Sequence, residues 1–295
     1  MRIGFGAPIS GAWATPDNLS RFAVKAEELG YESFWTFQRL LTPTAYPLDP
    51  VYQSVLDPIT ALSYAAALTT RMRLGVAVIN FPFVSPAYLA KQASTLALLS
   101  GGRFDLGLGS GWQHEEFVAS GASTEHRGAR LAEYVSVLRD FWSSDISTFE
   151  GKHYTVVPSR MNPKPPAAPP ILLGGMAPAA LKRAGRIADG WLSPSAADLT
   201  HIADTIAVIR SGAEEAGRDP ATLRIILRGV VRLGDRGPRL SGSIEQIRAD
   251  IEWLEAQGVT EVFYDLNWDK QIGNPDVTVE SATARAEDLM NALKP

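Results

Sequence analysis

The chain has 295 residues, 45% of them hydrophobic, which is enough for a large core and suits one α/β barrel domain over residues 1–295. Its net charge of -4 and scattered Lys and Arg argue against nucleic-acid binding, and the lack of cysteine excludes disulfides, Cys-ligated metals and a Cys nucleophile. No segment has membrane-spanning length and the N-terminus has no signal-peptide layout, so we expect a cytoplasmic protein without membrane partners.

Eight short apolar runs of strand length alternate with helical patterns along the chain. They cover residues 3–8, 32–37, 73–79, 103–109, 169–175, 190–195, 223–233 and 259–266. Thr15 and Asp57 each precede a proline, as helix N-caps often do, and Ser243 with Gln246 has the spacing of a capping box. Eight strand–helix units predict a parallel sheet closed into a (β/α)8 TIM barrel. The alternative is an open doubly wound sheet.

The run at 103–109 has two different faces. Its side chains alternate between large apolar residues and small or acidic ones, in the order Phe104, Asp105, Leu106, Gly107, Leu108 and Gly109. The apolar face can pack helices outside the barrel, and the glycine face can admit a flat ligand inside. We expect Asp105, on the inner face, to satisfy Arg103 or backbone donors.

Residues 143–170 interrupt the alternation of strands and helices. This segment contains six prolines and a hairpin-like EGKHYTVVP, and it is too long for a plain strand-to-helix connection. We therefore predict an insertion before the fifth barrel strand. It is either a lid over the site or an extended surface loop.

The ordered motifs resemble the luciferase-like monooxygenase superfamily of flavin- and deazaflavin-dependent barrel oxidoreductases. The likeness covers nearly the whole chain. Its motifs are RIGFGAP, AEELGYESFW, DPITALSYAAALTTRMRLGVAV, SPAYLAKQASTLALLSGGRFDLGLGSGW, PPILLGG, RIADGWL, EEAGRDPATLRI and GSIEQIRADIEWLEAQGVTEVF. EEAGRDP and the overall layout are more similar to the actinobacterial coenzyme F420 branch than to the FMN monooxygenases. The resemblance implies F420-dependent hydride transfer to or from a small organic substrate, with FMN and monooxygenation as the alternative, and a homodimer.

The cofactor site is expected at the carboxyl ends of the strands. Backbone N–H groups and the helix dipole after Gly174-Gly175-Met176 could hold a phosphate, although a tight turn explains the glycines equally well without the resemblance. The resemblance adds a non-prolyl cis peptide at Ala77-Val78 and ring contacts from the loop after 103–109, where Trp112 could instead be a core residue. The predicted cofactor-binding residues are Gln38, Ala77, Val78, Gly109, Ser110, Gly111, Trp112, Gly174, Gly175 and Met176.

Gln38-Arg39 departs from the acid–histidine pair that many members of this superfamily carry here. Arginine stays protonated and only donates hydrogen bonds, so Arg39 cannot replace a histidine base. It could orient a ring carbonyl or an anionic substrate, or pair with a neighbouring carboxylate. The catalytic candidates are therefore Arg39, with His114 or Glu115 as possible proton carriers beside water and the substrate itself. Alcohol and sugar-phosphate oxidation need a base, whereas reduction of an activated double bond or imine needs less help.

The remaining strand ends supply a substrate pocket of aromatic and polar residues. The candidates are Trp13, Asn80, Trp191 and Ser193, and Arg232 ends the seventh apolar run. The four histidines are dispersed, so we expect no metal site. Two other classes of function remain open, namely a hydrolytic barrel enzyme using Glu115 or Asp265 and a non-catalytic cofactor-binding protein.

Overall fold

The computed structural model describes residues 1–295 and contains twelve β-strands and nine α-helices. The strands are β1 (Arg2–Gly6), β2 (Ser33–Thr36), β3 (Arg73–Asn80), β4 (Phe104–Gly109), β5 (Ser147–Glu150), β6 (Thr155–Ser159), β7 (Ile171–Gly174), β8 (Gly190–Leu192), β9 (Arg224–Gly229), β10 (Arg232–Leu233), β11 (Ser241–Gly242) and β12 (Glu261–Tyr264). The helices are α1 (Pro16–Glu28), α2 (Pro58–Ala66), α3 (Pro86–Leu99), α4 (His114–Ala119), α5 (Arg127–Ser143), α6 (Pro178–Ile187), α7 (Ile202–Glu215), α8 (Ile244–Ala256) and α9 (Val279–Ala292). None of these helices has both the length and the apolar composition needed to cross a membrane.

Eight strands form a closed parallel barrel, in the order β1-β12-β9-β8-β7-β4-β3-β2. Each predicted apolar run contains one of these strands, and the (β/α)8 prediction is confirmed. The run at 223–233 is longer than its barrel strand, because β9 ends at Gly229 and β10 pairs with β11 outside the barrel. Because β9 ends at Gly229, Arg228 belongs to the barrel strand and Arg232 does not.

The predicted helix caps form as the sequence indicates. The Thr15 hydroxyl accepts a hydrogen bond from the Asn18 N–H at 3.2 Å, and the Asp57 carboxylate accepts one from Thr60 N–H at 2.8 Å. At α8, both halves of the capping box between Ser243 and Gln246 are present. Each cap satisfies a backbone donor that the first turn of the helix leaves free.

The lower end of the barrel interior is filled by a buried ionic cluster, here called the floor network and consisting of Arg73, Asp105, Arg224 and Glu261. The Asp105 carboxylate lies 2.8 Å from Arg73 Nε and 2.8 Å from Arg224 Nη1, and Arg224 Nη2 lies 2.9 Å from Glu261. The prediction that Asp105 pairs with Arg103 was wrong. The Arg103 guanidinium instead donates to backbone carbonyls between α2 and β3.

Above the floor network, an apolar layer plugs the barrel. It consists of Trp35, Leu172, Leu192, Ile226 and Phe263. Trp35 and Phe263 stack with ring centroids 5.1 Å apart. A Cβ at Gly75 would overlap the Trp35 ring, so this glycine makes room for the indole. Space for a ligand therefore lies above this layer, at the carboxyl ends of the strands.

The segment 143–170 contains the antiparallel β5–β6 hairpin and packs against the outer helices. The Glu133 carboxylate on α5 accepts hydrogen bonds from the backbone N–H groups of Lys152, His153 and Tyr154 at 2.8–3.2 Å. Lys164 Nζ donates to the Phe141 carbonyl at 2.7 Å, at the other end of the same helix. The hairpin is thus fastened along α5, before the fifth barrel strand β7.

Helices α6 and α7 approach each other at backbone distance through two glycines. A Cβ at Gly185 would overlap the carbonyl oxygen of Ile209, and one at Gly212 would overlap that of Lys182. Because neither helix can move closer or be pushed apart without breaking this contact, the crossing fixes where α6 lies. Its first residue, Pro178, is thereby placed beside the end of β7.

Candidate active site

A cavity of about 360 Å3 opens at the carboxyl ends of the barrel strands, within the size range of small-molecule sites. It gathers residues from β2, β3, β4, β7, β8 and β9 and from the loops that follow them. The predicted site residues that line it are Gln38, Arg39, Ala77, Val78, Asn80, Gly109, Ser110, Gly111, Trp112, Gly174, Gly175 and Ser193. No residue of the 143–170 insertion lines this cavity.

A bulge in β3 forms one wall of the cavity. The Ala77-Val78 peptide bond is cis, as the resemblance implied, and the register with β4 shifts between Val76 and Ile79. The Arg228 guanidinium donates to the Ala77 carbonyl. A Cβ at Gly109 would overlap the Val78 side chain, so this glycine is required for packing the bulge rather than for leaving open floor.

Gly174 and Gly175 line the cavity next to the bulge. A Cβ at Gly174 would be in ordinary contact with Val78 Cγ1 at 3.6 Å, so a methyl group fits at this position but a larger side chain would have to enter the cavity or displace a neighbour. Gly175 has a φ of 121°, which a side chain would disfavour, and its carbonyl accepts a hydrogen bond from Trp191 Nε1 at 2.8 Å. Helix α6 begins three residues later with no side-chain cap. Pro178 has no N–H and the Ala180 N–H donates to the Ala177 carbonyl, so the Ala179 N–H is the donor of the first turn that remains free for an anion.

Arg39 is buried at the cavity beside two aromatic rings that also contact each other edge-on. Its guanidinium carbon lies 4.7 Å from the Tyr52 ring centroid and 4.5 Å from that of Trp112. Glu116 lies 3.1 Å from Arg39 Nη1, yet neither Nη1 nor Nε makes a well-directed hydrogen bond. The sequence allowed Arg39 to pair with a carboxylate without identifying it, and that carboxylate is Glu116. Glu116 directly follows His114 and Glu115 in α4.

Glu116 is itself held by the loop that carries Arg39. Its Oε1 accepts hydrogen bonds from the backbone N–H groups of Leu40 at 2.7 Å and Leu41 at 3.2 Å. The side chain is buried and does not line the cavity. It therefore positions the arginine from behind and leaves the ligand side to Arg39.

A second buried arginine, Arg228 on β9, lines the cavity and was missed by the sequence analysis. Its Nε lies 3.5 Å from Asp265, and its guanidinium carbon lies 5.2 Å from the Phe37 ring and 4.8 Å from the Trp268 ring. Burial lowers the pKa of Arg228 and raises that of Asp265. The apolar run suggested Arg232 as the strand end, but the strand stops at Gly229 and Arg228 is the inward residue.

Comparison with known proteins then decides the family. The family model described as luciferase-like monooxygenase matches residues 3–275. The chain belongs to the luciferase-like monooxygenase family. An uncharacterised Mycobacterium tuberculosis protein is 33% identical over 233 residues, covering 73% of this chain and 80% of that protein.

Two further similarities mark the range of this luciferase-like family. The F420-dependent glucose-6-phosphate dehydrogenase of Amycolatopsis mediterranei is 30% identical over 224 residues, covering 73% of this chain and 64% of that enzyme. The crystal structure of monooxygenase RslO1 from Streptomyces bottropensis has a TM-score of 0.80 at 23% identity, covering 99% of this chain and 98% of that one. The chain is therefore an oxidoreductase of the luciferase-like family, and the second similarity concerns the fold.

Two predicted substrate-pocket residues of this luciferase-like protein lie elsewhere. Trp13 is fully buried in the core, where its ring meets Phe22 at 5.2 Å and its Nε1 donates to Asn267 at 3.1 Å. Trp191 is also fully buried and supports Gly175 from behind. Both positions are corrected, because apolar packing and a single indole hydrogen bond account for these side chains.

Three other predicted residues also lie outside the cavity lining. His114 and Glu115 form the first turn of α4, and the Glu115 carboxylate accepts hydrogen bonds from the Tyr46 hydroxyl at 3.0 Å and from Gln113. A backbone hydrogen bond at its own N–H and the Tyr46 hydroxyl hold the pKa of Glu115 below its ordinary value, although burial opposes them. Met176 is part of the exposed turn before α6. Neither α4 side chain reaches the cavity as a proton carrier.

The cavity of this luciferase-like oxidoreductase offers donors but few groups that exchange protons. Its lining contains no Asp, Glu, His, Lys or Cys, and its charged side chains are Arg39 and Arg228. Tyr52 contributes a phenol, and Ser110, Ser193 and Ser195 contribute hydroxyl groups. No group of three His, Cys, Asp or Glu residues could hold a metal ion. Such a surface suits a planar ligand rich in oxygen acceptors.

Proposed function

We propose that the protein is a coenzyme F420-dependent oxidoreductase that passes a hydride from the reduced deazaflavin to a small organic acceptor. One observation carries the choice of cofactor site: a single cavity borders both the Ala77-Val78 bulge and the Gly174-Gly175 turn that leads into the uncapped helix α6. A flat ring and a phosphate fit such an arrangement. The F420-dependent Amycolatopsis relative supports the deazaflavin.

The residues present fit the cofactor. The N–H groups at Gly175 and the start of α6 would hold its phosphate, and Ser110 and Gly111 would contact the linker. Ala77 and Val78 would support the ring from behind. The deazaflavin would supply the hydride, while the protein binds and orients both reactants.

The composition of the lining favours reduction over oxidation of an alcohol. An alcohol or sugar must lose its hydroxyl proton to a base, and the cavity contains no carboxylate, histidine or lysine. Asp265 lies behind Arg228 and Glu115 lies outside, so the hydrolytic alternative also lacks its carboxylate. The monooxygenase RslO1 has the same fold, and this likeness supports FMN-dependent monooxygenation as the second candidate.

The test is a titration with F420 and, separately, with FMN, followed by the fluorescence of tryptophan. Trp112 suits this purpose because it lines the cavity and is 60% exposed. We expect saturable quenching at lower concentrations of F420 than of FMN. Tighter binding of FMN would favour the monooxygenase, and binding of neither would end the proposal.

Gly174 provides a matched pair of variants. Gly174→Ala adds a methyl group at ordinary contact distance and is expected to keep both the fold and F420 binding. Gly174→Leu projects into the cavity and is expected to abolish binding while thermal denaturation stays near that of the alanine variant. An unchanged F420 affinity in Gly174→Leu would contradict the placement of the cofactor.

A further inference from the structure

The guanidinium of Arg39 is held in place but not saturated. Tyr52 and Trp112 lie over it, Glu116 approaches Nη1, and Nε and Nη1 lack hydrogen-bond partners although the side chain is only 4% exposed. Buried donors without partners are rare in folded proteins, because each loses its hydration without compensation. Nε and Nη1 are covered by the protein, whereas Nη2 makes no hydrogen bond and is not fully buried, so Nη2 is the donor through which Arg39 can meet an acceptor atom in the cavity.

The geometry restricts how a ligand can meet this arginine. The Tyr52 and Trp112 rings meet edge-on, with their centroids 6.0 Å apart, so they cover adjoining sides of the guanidinium. A guanidinium carries all its N–H groups along its edge, and the part of that edge left uncovered is the surface for hydrogen bonds. The carboxylate of Glu116 accepts two backbone N–H groups and stays outside the lining, so it fixes Arg39 without closing the cavity side. The result is a rigid donor at the cavity wall.

We propose that this edge binds the carbonyl oxygen of an α,β-unsaturated carbonyl compound, and that such compounds are the acceptor class of the enzyme. The inference rests on the proposed function and deepens it. Arg39 would donate to the carbonyl oxygen in the bound substrate and more strongly to the enolate oxygen that develops during reduction. Donors aimed at a developing oxyanion in a desolvated site are among the largest contributors to catalysis.

The reaction balances with the groups named. The β-carbon accepts a hydride from the reduced deazaflavin and forms a new C–H bond, while the electrons of the C=C bond move toward the carbonyl to give an enolate. The α-carbon then takes a proton from water, and the resulting hydroxide is neutralised by the proton that the deazaflavin releases on oxidation. The substrate gains two electrons and two hydrogens in total, and the deazaflavin is oxidised by two electrons.

The same lining argues against simple ketones and aldehydes. Hydride addition at a carbonyl carbon gives an alkoxide, whose high basicity requires an acid at the oxygen, and Arg39 keeps its proton. An enolate is far less basic at oxygen and needs a hydrogen-bond donor there, while its proton arrives at carbon. Tyr52 is the one weak acid near Arg39, and its contribution can be tested separately.

The test uses 4-nitrophenol as a stable mimic of the enolate, bound to the F420-loaded protein and to the protein without added F420. The phenolate absorbs visible light, so its ionisation is measured as a function of pH. We expect the bound phenol to ionise about one pH unit lower than in water, equivalent to a tenfold preference for the anion. Arg39→Met should abolish this preference, and Arg39→Lys should restore only part of it.

Two further variants locate the effect. Tyr52→Phe keeps the ring over Arg39 and removes the phenol, so it should retain the preference for phenolate. Arg160→Met is the matched control, because Arg160 is an exposed arginine that pairs with Asp145 on the distant hairpin. In turnover with an enone panel, Arg39→Met should lower kcat by roughly 10²–10³-fold with a smaller change in KM.

The outcomes separate the two proposals. A phenolate preference that survives in folded Arg39→Met, or one that is lost in Tyr52→Phe, would overturn the role of Arg39 whether or not F420 binds. Reduction of simple ketones but not of enones by the wild type would overturn the substrate class. Failure of F420 to bind would instead remove the proposed function on which both depend.

Discussion

Two groups of arginines lie at opposite ends of the same barrel, half-buried in the floor network and buried at the cavity, and they differ in how well they are paired. In the floor network, Arg224 contacts Asp105 and Glu261, and although burial lowers its pKa, these carboxylates outweigh burial and raise it. At the cavity, Arg228 has Asp265 alone, and burial lowers its pKa. Charges that are compensated within the chain hold the barrel together, whereas undercompensated ones remain available to a ligand.

The largest effect that would test this comparison is expected from Asp105→Asn. The substitution removes the charge of a fully buried carboxylate that pairs with the half-buried Arg73 and Arg224, and breaking a buried ion pair costs about 3–5 kcal/mol. Urea denaturation should show this loss in the free energy of unfolding. Asp145→Asn removes an exposed partner of Arg160 and should change stability by less than about 1 kcal/mol.

Glu27 sharpens the comparison, because its carboxylate lies near the floor but faces solvent. It accepts hydrogen bonds from the N–H groups of Thr70, Arg71 and Met72, which outweigh burial and lower its pKa to about 2 from 4.5. A depressed folded-state pKa stabilises the fold above pH 4.5, and this contribution is lost as the pH falls toward 2.

Glu27→Gln should therefore flatten the acid limb of the stability curve between pH 4.5 and 2. Because Glu27 is only half-buried and solvent screens its interactions, we expect a difference of only about 1 kcal/mol at neutral pH. Urea denaturation at several pH values measures it. A wild-type stability that rises on acidification through this window would contradict the assignment.

The smallest change is expected from removing the cavity pair altogether in Arg39→Met/Glu116→Gln. Methionine in place of Arg39 removes the buried N–H groups that lack partners. Glutamine in place of Glu116 keeps an oxygen that accepts the hydrogen bonds from the backbone N–H groups of Leu40 and Leu41. Replacing both members of an incompletely satisfied pair is often neutral, so the free energy of unfolding should change by about 1 kcal/mol or less. A loss as large as that of Asp105→Asn would mean that Arg39 is a structural residue.

The fold was predictable because its signals are local. Each barrel strand is an apolar run that can be recognised within a few residues, and the caps at Thr15, Asp57 and Ser243 depend on neighbours three positions away. The cavity-lining glycines and the cis peptide followed from strand ends and from the resemblance. These features need no knowledge of which side chains meet across the barrel.

The partners inside the barrel were not predictable in the same way. Arg39 and Glu116 are 77 positions apart, and Asp105 pairs with Arg224 across 119 positions, so no local pattern joins them. Arg228 was missed because the end of β9 depends on pairing with β8 and β12, which the apolar run 223–233 does not reveal. The strand stops four residues before the apolar run does, and this difference places Arg228 rather than Arg232 at the cavity.

The backbone crossing of α6 and α7 has a practical consequence for redesign. Gly185 on α6 and Gly212 on α7 let the two helices approach at backbone distance, so a methyl group at either position would shift α6 and, with it, the turn at Pro178 that we propose binds the phosphate. Mutant libraries intended to change the substrate should therefore leave Gly185 and Gly212 unchanged. Diversity can be concentrated in the loop around Tyr52 and in the Ser193–Ala196 segment, which border the same cavity without carrying the helix.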